Sequence, residues 1–217
     1  MIRGSEEMLT AAPLIPVRPS IERLRATAKS CRACPLWKTG TQTVFGEGSA
    51  AAKVIFVGEQ PGNDEDLAGT PFVGPAGKLL DKVLDEVGID RDEVYVTNVV
   101  KHFKWEPVGK RRIHKKPNSR EIAACRPWLQ AELDVVEPEV LICLGATAAQ
   151  ALLGKDFRVS QRRGELIRSE LAPFVMATVH PSSILRAPDD EKRHQARAEF
   201  VADMRKIAEL IHAVRAR

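Results

Sequence analysis

Short apolar runs recur along the chain, and they limit its fold more narrowly than any other feature. KVIFVG at 53–58 and VLICLG at 140–145 both end in glycine, and VYVTNVV from residue 94 and FVMATVH at 174–180 are two further runs. Strand side chains point alternately to the two faces of a sheet, so apolar residues at successive positions are typical of a strand buried on both faces. The sequence therefore predicts four buried strands.

The segments between these runs show the spacing of helices. In AGKLLDKVLDEVG, the apolar residues fall at 79, 80, 83, 84 and 87 before a final glycine. Alternating strands and helices indicate an α/β fold with a mostly parallel sheet covered on both faces. We predict helices over 21–30 with Ser20 as N-cap, 76–88, 119–136 with a kink or restart at Pro127, 146–153, and from about residue 191 onwards.

The chain is long enough for one domain with a full hydrophobic core. Residues 20–217 are predicted to form that single domain. Residues 1–19, which include two prolines and an acidic pair, are predicted to be a loosely ordered N-terminal tail.

Segments of unusual composition follow all four predicted strands. They read GEQPGND, TNVVKHF, CLGATA and HPSSILR. Because the carboxyl ends of parallel strands meet at one edge of a sheet, and ligands bind there, these segments are expected to lie together. We therefore predict a ligand-binding site at that edge.

The first of these connections, residues 58–77, contains five glycines, three prolines and four acidic residues. Glycines such as Gly58 let a backbone approach a ligand closely, and Phe72 offers a ring that could stack on a flat ligand. Asn98, at the end of the second strand, supplies the donor and the acceptor that the edge of a pyrimidine requires. The competing interpretations are a purely structural loop and an ordinary turn residue at Asn98.

The run KRRIHKKP at 110–117 places one histidine among cations. Residues 101–120 hold eight basic residues and one acidic residue, whereas the whole chain has a net charge of only +4. Such a patch is suited to a phosphate backbone, and its cations are expected to keep His114 neutral and nucleophilic. A solvated charged loop is the alternative. The predicted DNA-binding residues of this run are Lys110, Arg111, Arg112 and Lys115.

HPSSILR at 180–186 combines an imidazole with two hydroxyls and a guanidinium. The hydroxyls of Ser182 and Ser183 and the side chain of Arg186 are suited to binding a phosphate. The alternative is a helix N-cap that carries a buried histidine.

The chain has four cysteines, of which Cys31 and Cys34 form C-x2-C and Cys125 and Cys143 form C-x17-C. The N-terminus lacks the basic start and unbroken apolar run of a secretory signal, so disulfides are disfavoured. Four thiolates therefore predict a tetrahedral metal centre or an iron–sulfur cluster, and the spacing leaves both open. For Cys143 alone, the alternative is a small apolar residue in a core strand.

Together, GEQPG, HPSSILR and the cysteine arrangement resemble the iron–sulfur class of the uracil-DNA glycosylase superfamily, typified by family 4, over nearly the whole chain from Cys31 to the last helix. Gln60 within GEQPG and the inserted KRRIH loop are similar to the UdgX branch. The resemblance implies a three-layer αβα sandwich, a 4Fe-4S cluster on the four cysteines, and covalent attachment to uracil-containing DNA.

The resemblance also implies roles for individual residues. His180 is similar to the histidine that stabilises the departing uracil at O2, Glu59 to the acid that supports the cationic sugar, and His114 to the histidine that joins C1′ of the deoxyribose. Asn63 departs from the family pattern, in which aspartate is common at that position. The expected uracil contacts are Gly58, Gln60, Phe72 and Asn98.

The function we expect is therefore DNA repair: the protein excises uracil and stays bonded through His114 to the abasic site after one turnover. The partner would be uracil-containing DNA, and free uracil would be the product. A conventional family 4 enzyme that releases abasic DNA and a non-enzymatic iron–sulfur DNA-binding module are the alternatives. A nucleotide-binding α/β protein is disfavoured, because no G-x-G-x-x-G or Walker lysine motif is present. No apolar run reaches the ~18 residues of a membrane span and the N-terminus does not resemble a secretory signal, so we expect a cytoplasmic protein. Nothing in the sequence requires an oligomer, and we expect a monomer.

Overall fold

A five-stranded sheet forms the centre of the computed structural model, which describes residues 10–215. Numbered along the chain, the strands are β1 (Val54–Gly58), β2 (Val94–Asn98), β3 (Trp105–Val108), β4 (Arg111–His114), β5 (Val140–Leu144), β6 (Leu166–Ser169) and β7 (Ala172–Thr178). The order in the sheet is β2-β1-β5-β7-β6, and all neighbouring strands are parallel except β6 and β7. β3 and β4 form a separate antiparallel hairpin.

Helices fill most of the connections. Between residues 10 and 215 they are α1 (Ile21–Ala28), α2 (Asn63–Ala68), α3 (Pro75–Glu86), α4 (Ser119–Val136), α5 (Ala146–Leu153), α6 (Val159–Arg162), α7 (Pro181–Leu185) and α8 (Asp190–Arg215). Short 3-10 turns occur at Ala12–Leu14, Pro35–Lys38 and Arg91–Glu93. None of the helices in this range is long and apolar enough to cross a membrane.

The sheet separates two hydrophobic cores. Along β1, Ile55 and Val57 face the core that α1, α4 and α5 complete, whereas Val54 and Phe56 face the core completed by α3 and α8. Because both faces are covered, the strands are apolar at successive positions. The predicted α/β class and three-layer arrangement with a mostly parallel sheet are confirmed.

α4 is continuous through Pro127, which excludes the restart that was one of the two predicted alternatives at this residue. A proline inside a helix costs about 3 kcal/mol, since it removes a backbone hydrogen bond. Burial of a leucine side chain contributes about 1.5–3 kcal/mol, and Leu129 and Trp128 are both buried beside the proline. Packing against the core therefore offsets the local cost.

The β3–β4 hairpin was not predicted. Its strands are four residues long and largely exposed, so they lack the apolar alternation that marks a strand in a sequence. Gly109, with a φ of 59°, makes the turn, and His114 lies opposite Trp105 at the open end. The KRRIH segment therefore forms part of the turn and the second strand of a defined hairpin, and not an irregular loop.

The predicted N-terminal tail is partly described. Residues 1–9 lie outside the described residues. Ala11 is fully buried, and its N–H donates to the carbonyl oxygen of Ala124 in α4 at 2.9 Å. The part of the tail around Ala11 is therefore packed against the domain.

Candidate active site

The carboxyl ends of β1 and β2 bring Gly58, Phe72 and Asn98 together. Gly58 and Asn98 are paired residues of the two strands. A Cβ atom at Gly58 would collide with Oδ1 of Asn98 and would lie 2.9 Å from Cζ of Phe72. Glycine at this position therefore leaves open the space that the carboxamide and the aromatic ring both border.

A buried carboxylate shapes the loop that carries Phe72. The two oxygens of Glu65 accept hydrogen bonds from the N–H groups of Gly62, at 3.0 Å, and Gly74, at 2.8 Å. Phe72 itself has a φ of 59°, an unfavourable conformation for a residue with a side chain. Its ring lies 6.3 Å from that of His180, at an interplanar angle of 27°. Glu65, which the sequence analysis did not single out, therefore fixes the loop in a strained shape.

His180 has a defined tautomer. It is the N-cap of α7, and its Nδ1 accepts the N–H of Ser182 at 3.1 Å. Nδ1 must therefore be unprotonated, which leaves the proton of the neutral ring on Nε2. Burial, assisted by Arg186 and His114, lowers the pKa of His180 to about 4. At neutral pH the side chain is an uncharged hydrogen-bond donor through Nε2.

Glu59 bridges two elements of the site. One carboxylate oxygen accepts a hydrogen bond from the hydroxyl of Thr147, in the first turn of α5, and the other lies 3.4 Å from Nε2 of His114. Thr147 is buried. The segment CLGATA is unusual in composition, but no local signal distinguishes Thr147, because only the adjacency of β5 and β1 brings it to Glu59.

His114 is half exposed, at 50% of its side-chain surface, and ends β4. Burial lowers its pKa, Arg186 lowers it further, and Glu59 opposes both effects. The neutral ring was predicted, but its cause is different from the prediction. Burial and Arg186 favour the neutral form, rather than the cations next to His114 in the sequence.

Arg112 was predicted to bind DNA, but its guanidinium is engaged within the protein. Nη1 lies 2.6 Å from Oδ2 of the buried Asp66, and Nε donates to Oδ1 of Asn63 at 2.8 Å. The guanidinium also lies 5.4 Å from the ring centroids of both Phe103 and Trp105. Its charge is therefore neutralised beneath the hairpin. Asn63 accepts its hydrogen bond as a neutral amide, while Asp66 supplies the carboxylate.

Gln60 anchors the hairpin. Its Nε2 donates to the carbonyl oxygens of Lys104, at 3.1 Å, and Lys115, at 3.0 Å, and its Oε1 accepts the N–H of Lys104. These two residues flank β3 and β4. The carboxamide that was expected to contact uracil is thus occupied in holding the segment that carries His114.

The remaining residues predicted to bind DNA lie either in or directly after the β3–β4 hairpin, or in or directly after α7. Lys110 and Arg111 lie exposed at the hairpin tip, and neither is paired with a carboxylate of residues 10–213. Lys115, by contrast, forms an ion pair with Glu106 at 2.8 Å. Beside the pocket, Ser182, Ser183 and Arg186 lie in or directly after α7. The hairpin residues therefore lie on the element that carries His114, and the α7 residues lie next to His180.

Three of the four cysteines form a group. Burial is the main cause that raises the pKa of Cys34, and the thiol of Cys31 raises it further. Burial raises the pKa of Cys125 to about 12, and the thiols of Cys34 and Cys31 also raise it. Burial alone raises the pKa of Cys143 to about 12, because this residue lies within β5, paired with β1 and β7. Other thiols thus contribute to the raised pKa of Cys34 and Cys125, whereas burial is the one cause at Cys143 among the described residues.

His102 lies buried next to this group. The N–H of the preceding residue, Lys101, donates to Sγ of Cys125 at 3.3 Å. The hydroxyl of Thr43 donates its hydrogen to the carbonyl oxygen of Ala28, so it accepts from Nε2 of His102 at 3.2 Å. Nδ1 of His102 then carries a free lone pair, and burial lowers the pKa of the ring. A neutral imidazole is a suitable metal ligand.

Three thiols and one imidazole form a donor set whose chemistry is compatible with an iron–sulfur cluster. Among residues 10–213, no three potential ligands are close enough together to hold one metal ion. A zinc site needs all its ligands within about 2.3 Å of one centre, whereas the ligands of a four-iron cluster bind different irons and stand further apart. The three thiols and the imidazole lie on three segments, which are the loop after α1, the segment after β2, and α4, and such a set is compatible with the second arrangement.

Comparisons with known proteins identify the family of this chain. Residues 45–205 match the sequence model of the uracil DNA glycosylase superfamily. The chain is 39% identical over 198 residues to a type-4 uracil-DNA glycosylase of Archaeoglobus fulgidus, covering 88% of this chain and 93% of that protein. It is 40% identical over 174 residues to the type-4 enzyme of Thermotoga maritima, covering 80% and 87%. A type-5 uracil-DNA glycosylase of Pyrobaculum aerophilum is 28% identical over 184 residues, covering 76% and 77%. The family model matches most of the chain, and two relatives are about 40% identical over most of their own length. This chain therefore belongs to the uracil DNA glycosylase superfamily.

Proposed function

We propose that this protein excises uracil from DNA and then bonds through His114 to C1′ of the resulting abasic deoxyribose. The observation that carries the covalent step is the position of Nε2 of His114, 3.4 Å from the carboxylate of Glu59. A carboxylate there would stabilise a cationic sugar, and the neutral imidazole beside it would lie next to the same carbon.

The uracil base would bind in the space next to Gly58, which Phe72 and Asn98 border. A uracil ring flipped out of the DNA stack would lie against the face of Phe72, with its polar edge on the carboxamide of Asn98. Phe72 and Asn98 both border the position of a hypothetical Cβ on Gly58, which supports this placement. Any larger residue at 58 would fill the space of the base.

Cleavage would separate charge. The glycosidic electron pair leaves with uracil, so negative charge develops on the base and positive charge on the sugar. Nε2–H of His180 would donate a hydrogen bond to the uracil anion, and Glu59 would face the sugar cation. A donor that is fixed before the reaction contributes most, because it needs no reorganisation as charge develops. The hydrogen bond from Ser182 to Nδ1 supplies that fixation.

The covalent bond to the sugar would form because His114 is held close to C1′. A lone pair on a ring nitrogen of His114 forms the new bond to C1′, and the proton on the other ring nitrogen is released to solvent. Holding the imidazole against the carbon removes the entropy of encounter that water must overcome. An N-alkylated imidazole is a poor leaving group at neutral pH, so the reaction would stop after one turnover.

A conventional type-4 reaction is the alternative, and the names of the relatives favour it. In that case water attacks C1′ and the enzyme turns over. Mixing the protein with excess uracil-containing oligonucleotide distinguishes these cases on a denaturing gel. We expect one equivalent of uracil and a cross-linked band. Many equivalents of uracil without the band would establish turnover, and no released uracil would indicate a DNA-binding module.

For the cofactor, we propose a 4Fe-4S cluster held by Cys31, Cys34, Cys125 and His102. When bound, it would join the loop after α1 to the segment after β2 and to α4, so that its contribution is to structure. We expect Cys125→Ala and His102→Ala to lose the visible absorption of the cluster. Cys143→Ala should retain it, with a modest loss of stability from the core cavity. Loss of colour in Cys143→Ala would restore the four-cysteine set.

A further inference from the structure

Lys101 and Glu132 form a buried ion pair next to β2. Neither residue is one of the groups proposed to react. The side chains of Lys101 and Glu132 are 1% and 0% exposed, and Nζ of Lys101 contacts Oε2 of Glu132 directly. Removing two charges from water carries a desolvation cost, and apolar residues of similar volume often replace such pairs without loss of stability. A contribution to stability is therefore a weak explanation for this pair.

Glu132 gathers donors from several segments. Its carboxylate accepts hydrogen bonds from the hydroxyls of Tyr95, at 2.9 Å, and Thr97, at 2.9 Å, which lie on β2. It also accepts the N–H of Gly46 at 3.1 Å. The carboxylate is therefore fully satisfied, and it fixes the position in which Lys101 meets it.

Lys101 holds the turn that carries Asn98. Its Nζ donates to the carbonyl oxygen of Asn98 at 2.8 Å and contacts Oγ1 of Thr97 at 2.6 Å. Within the same turn, the N–H groups of Val99 and Val100 donate to the carbonyl oxygens of Gly58, at 2.9 Å, and Glu59, at 3.1 Å. One ammonium group thus closes a turn whose amides join the ends of β2 and β1.

The backbone of Lys101 connects this turn to the cysteine group. Its N–H donates to Sγ of Cys125 at 3.3 Å, and its carbonyl oxygen accepts the N–H of Val44 at 2.8 Å. Lys101 therefore contacts the turn that carries Asn98 with its side chain, and the cysteine group with its main chain.

We propose that Lys101 and Glu132 form a positioning clasp that sets the place of Asn98, and hence the affinity of the pocket for uracil. The inference rests on the proposed function, because it assigns the clasp to the recognition of that base. The two residues do not touch the substrate, so they are positioning residues and not catalytic ones.

The test uses a charge-neutral double variant, Lys101→Met with Glu132→Gln. Methionine retains the apolar stem of lysine, and glutamine can still accept from Tyr95 and Gly46 while it donates to Thr97. The bonds from Nζ to the carbonyl oxygen of Asn98 and to Oγ1 of Thr97 are lost, together with the ion pair to Glu132. We expect the inhibition constant of free uracil, and the half-saturating DNA concentration in single-turnover uracil release, to rise about tenfold. The visible absorption should be unchanged.

A matched control removes the Lys–Glu pair at the opposite end of the sheet, through Lys53→Met with Glu139→Gln. It should leave both constants at their wild-type values. If the double variant of the clasp folds and inhibition by free uracil stays within twofold of wild type, the proposal fails. Should that variant not fold, Thr97→Val removes one hydroxyl shared by both clasp residues, and the two constants should still rise, by about threefold. Wild-type protein that releases no uracil would instead overturn the proposed function and not the clasp alone.

Discussion

The two histidines of the site, His180 and His114, are neutral for related reasons but are held in different ways. His180 follows a central strand, and its Nδ1 is fixed by the N–H of Ser182. His114 ends an outlying hairpin, with half of its side-chain surface exposed. One ring therefore lies at the junction of β7 and α7, and the other lies on a hairpin outside the central sheet.

This difference matches the tasks we propose. A hydrogen-bond donor for a departing anion works best when it is fixed in advance, and His180 meets that condition. A nucleophile must reach a carbon that becomes accessible only as the base leaves, and the hairpin places His114 on a separate element for that step. In this proposal the carboxylate of Glu59 stabilises the sugar cation that forms when the base leaves, before His114 bonds to it.

The largest expected effect comes from His114→Ser. Serine lacks the ring nitrogen, so the cross-linked band on a denaturing gel should disappear while uracil release continues. A cross-link that persists in this variant would assign the nucleophile to another residue.

His180→Ala should have the next largest effect, on the release of uracil. Removal of one preorganised donor to a developing anion typically slows a reaction by about 100- to 1,000-fold. Single-turnover uracil release should fall by this factor, and the cross-link should slow in proportion because it follows release. Release at the wild-type rate would exclude His180 as the donor.

Gln60→Ala tests how the hairpin is held. Without the carboxamide, three hydrogen bonds to Lys104 and Lys115 are lost, so His114 should be placed less accurately. We expect cross-linking to slow by about 10- to 100-fold, with a smaller change in uracil release. Gln150→Ala, which removes a carboxamide on α5, should leave both rates near wild type. Equal losses of both rates in Gln60→Ala would argue for direct contact with the base.

Thr147→Val should have a smaller effect, through Glu59. Valine has nearly the same shape but cannot donate to the carboxylate, so Glu59 loses its fixed orientation. We expect uracil release to slow by about tenfold, and Thr147→Ser, which keeps the hydroxyl, to recover most of the rate. Failure of serine to recover it would point to packing as the cause.

The smallest effect is expected from pH. Burial and Arg186 lower the pKa of His114, so its neutral form should persist below the usual histidine range near 6.5. The single-turnover rate of cross-linking should therefore stay constant from pH 8 to 7 and fall only at more acidic pH. Arg186→Gln should move that fall to higher pH. An unchanged profile in this variant would show that Arg186 does not act on the ring.

The sequence alone determined the class of fold and the edge that holds the site. Strand and helix periods are local properties, and four odd segments that follow four parallel strands must meet, because their carboxyl ends share one edge. For that reason Gly58, Phe72, Asn98 and His180 could be named together before any coordinates were known. The resemblance of the motifs also identified the superfamily that the comparisons confirmed.

Only the tertiary structure decided which groups are free to act. Arg112 and Lys110 are two residues apart in one basic run, yet Asp66, 46 positions away in the sequence, neutralises the first. Likewise, the grouping of three cysteines beside His102, the use of Gln60 as an anchor, and the bond from Thr147 to Glu59 depend on contacts between distant segments. Local patterns specify elements, whereas the partner of a charge or a hydrogen-bonding group is set by where those elements pack.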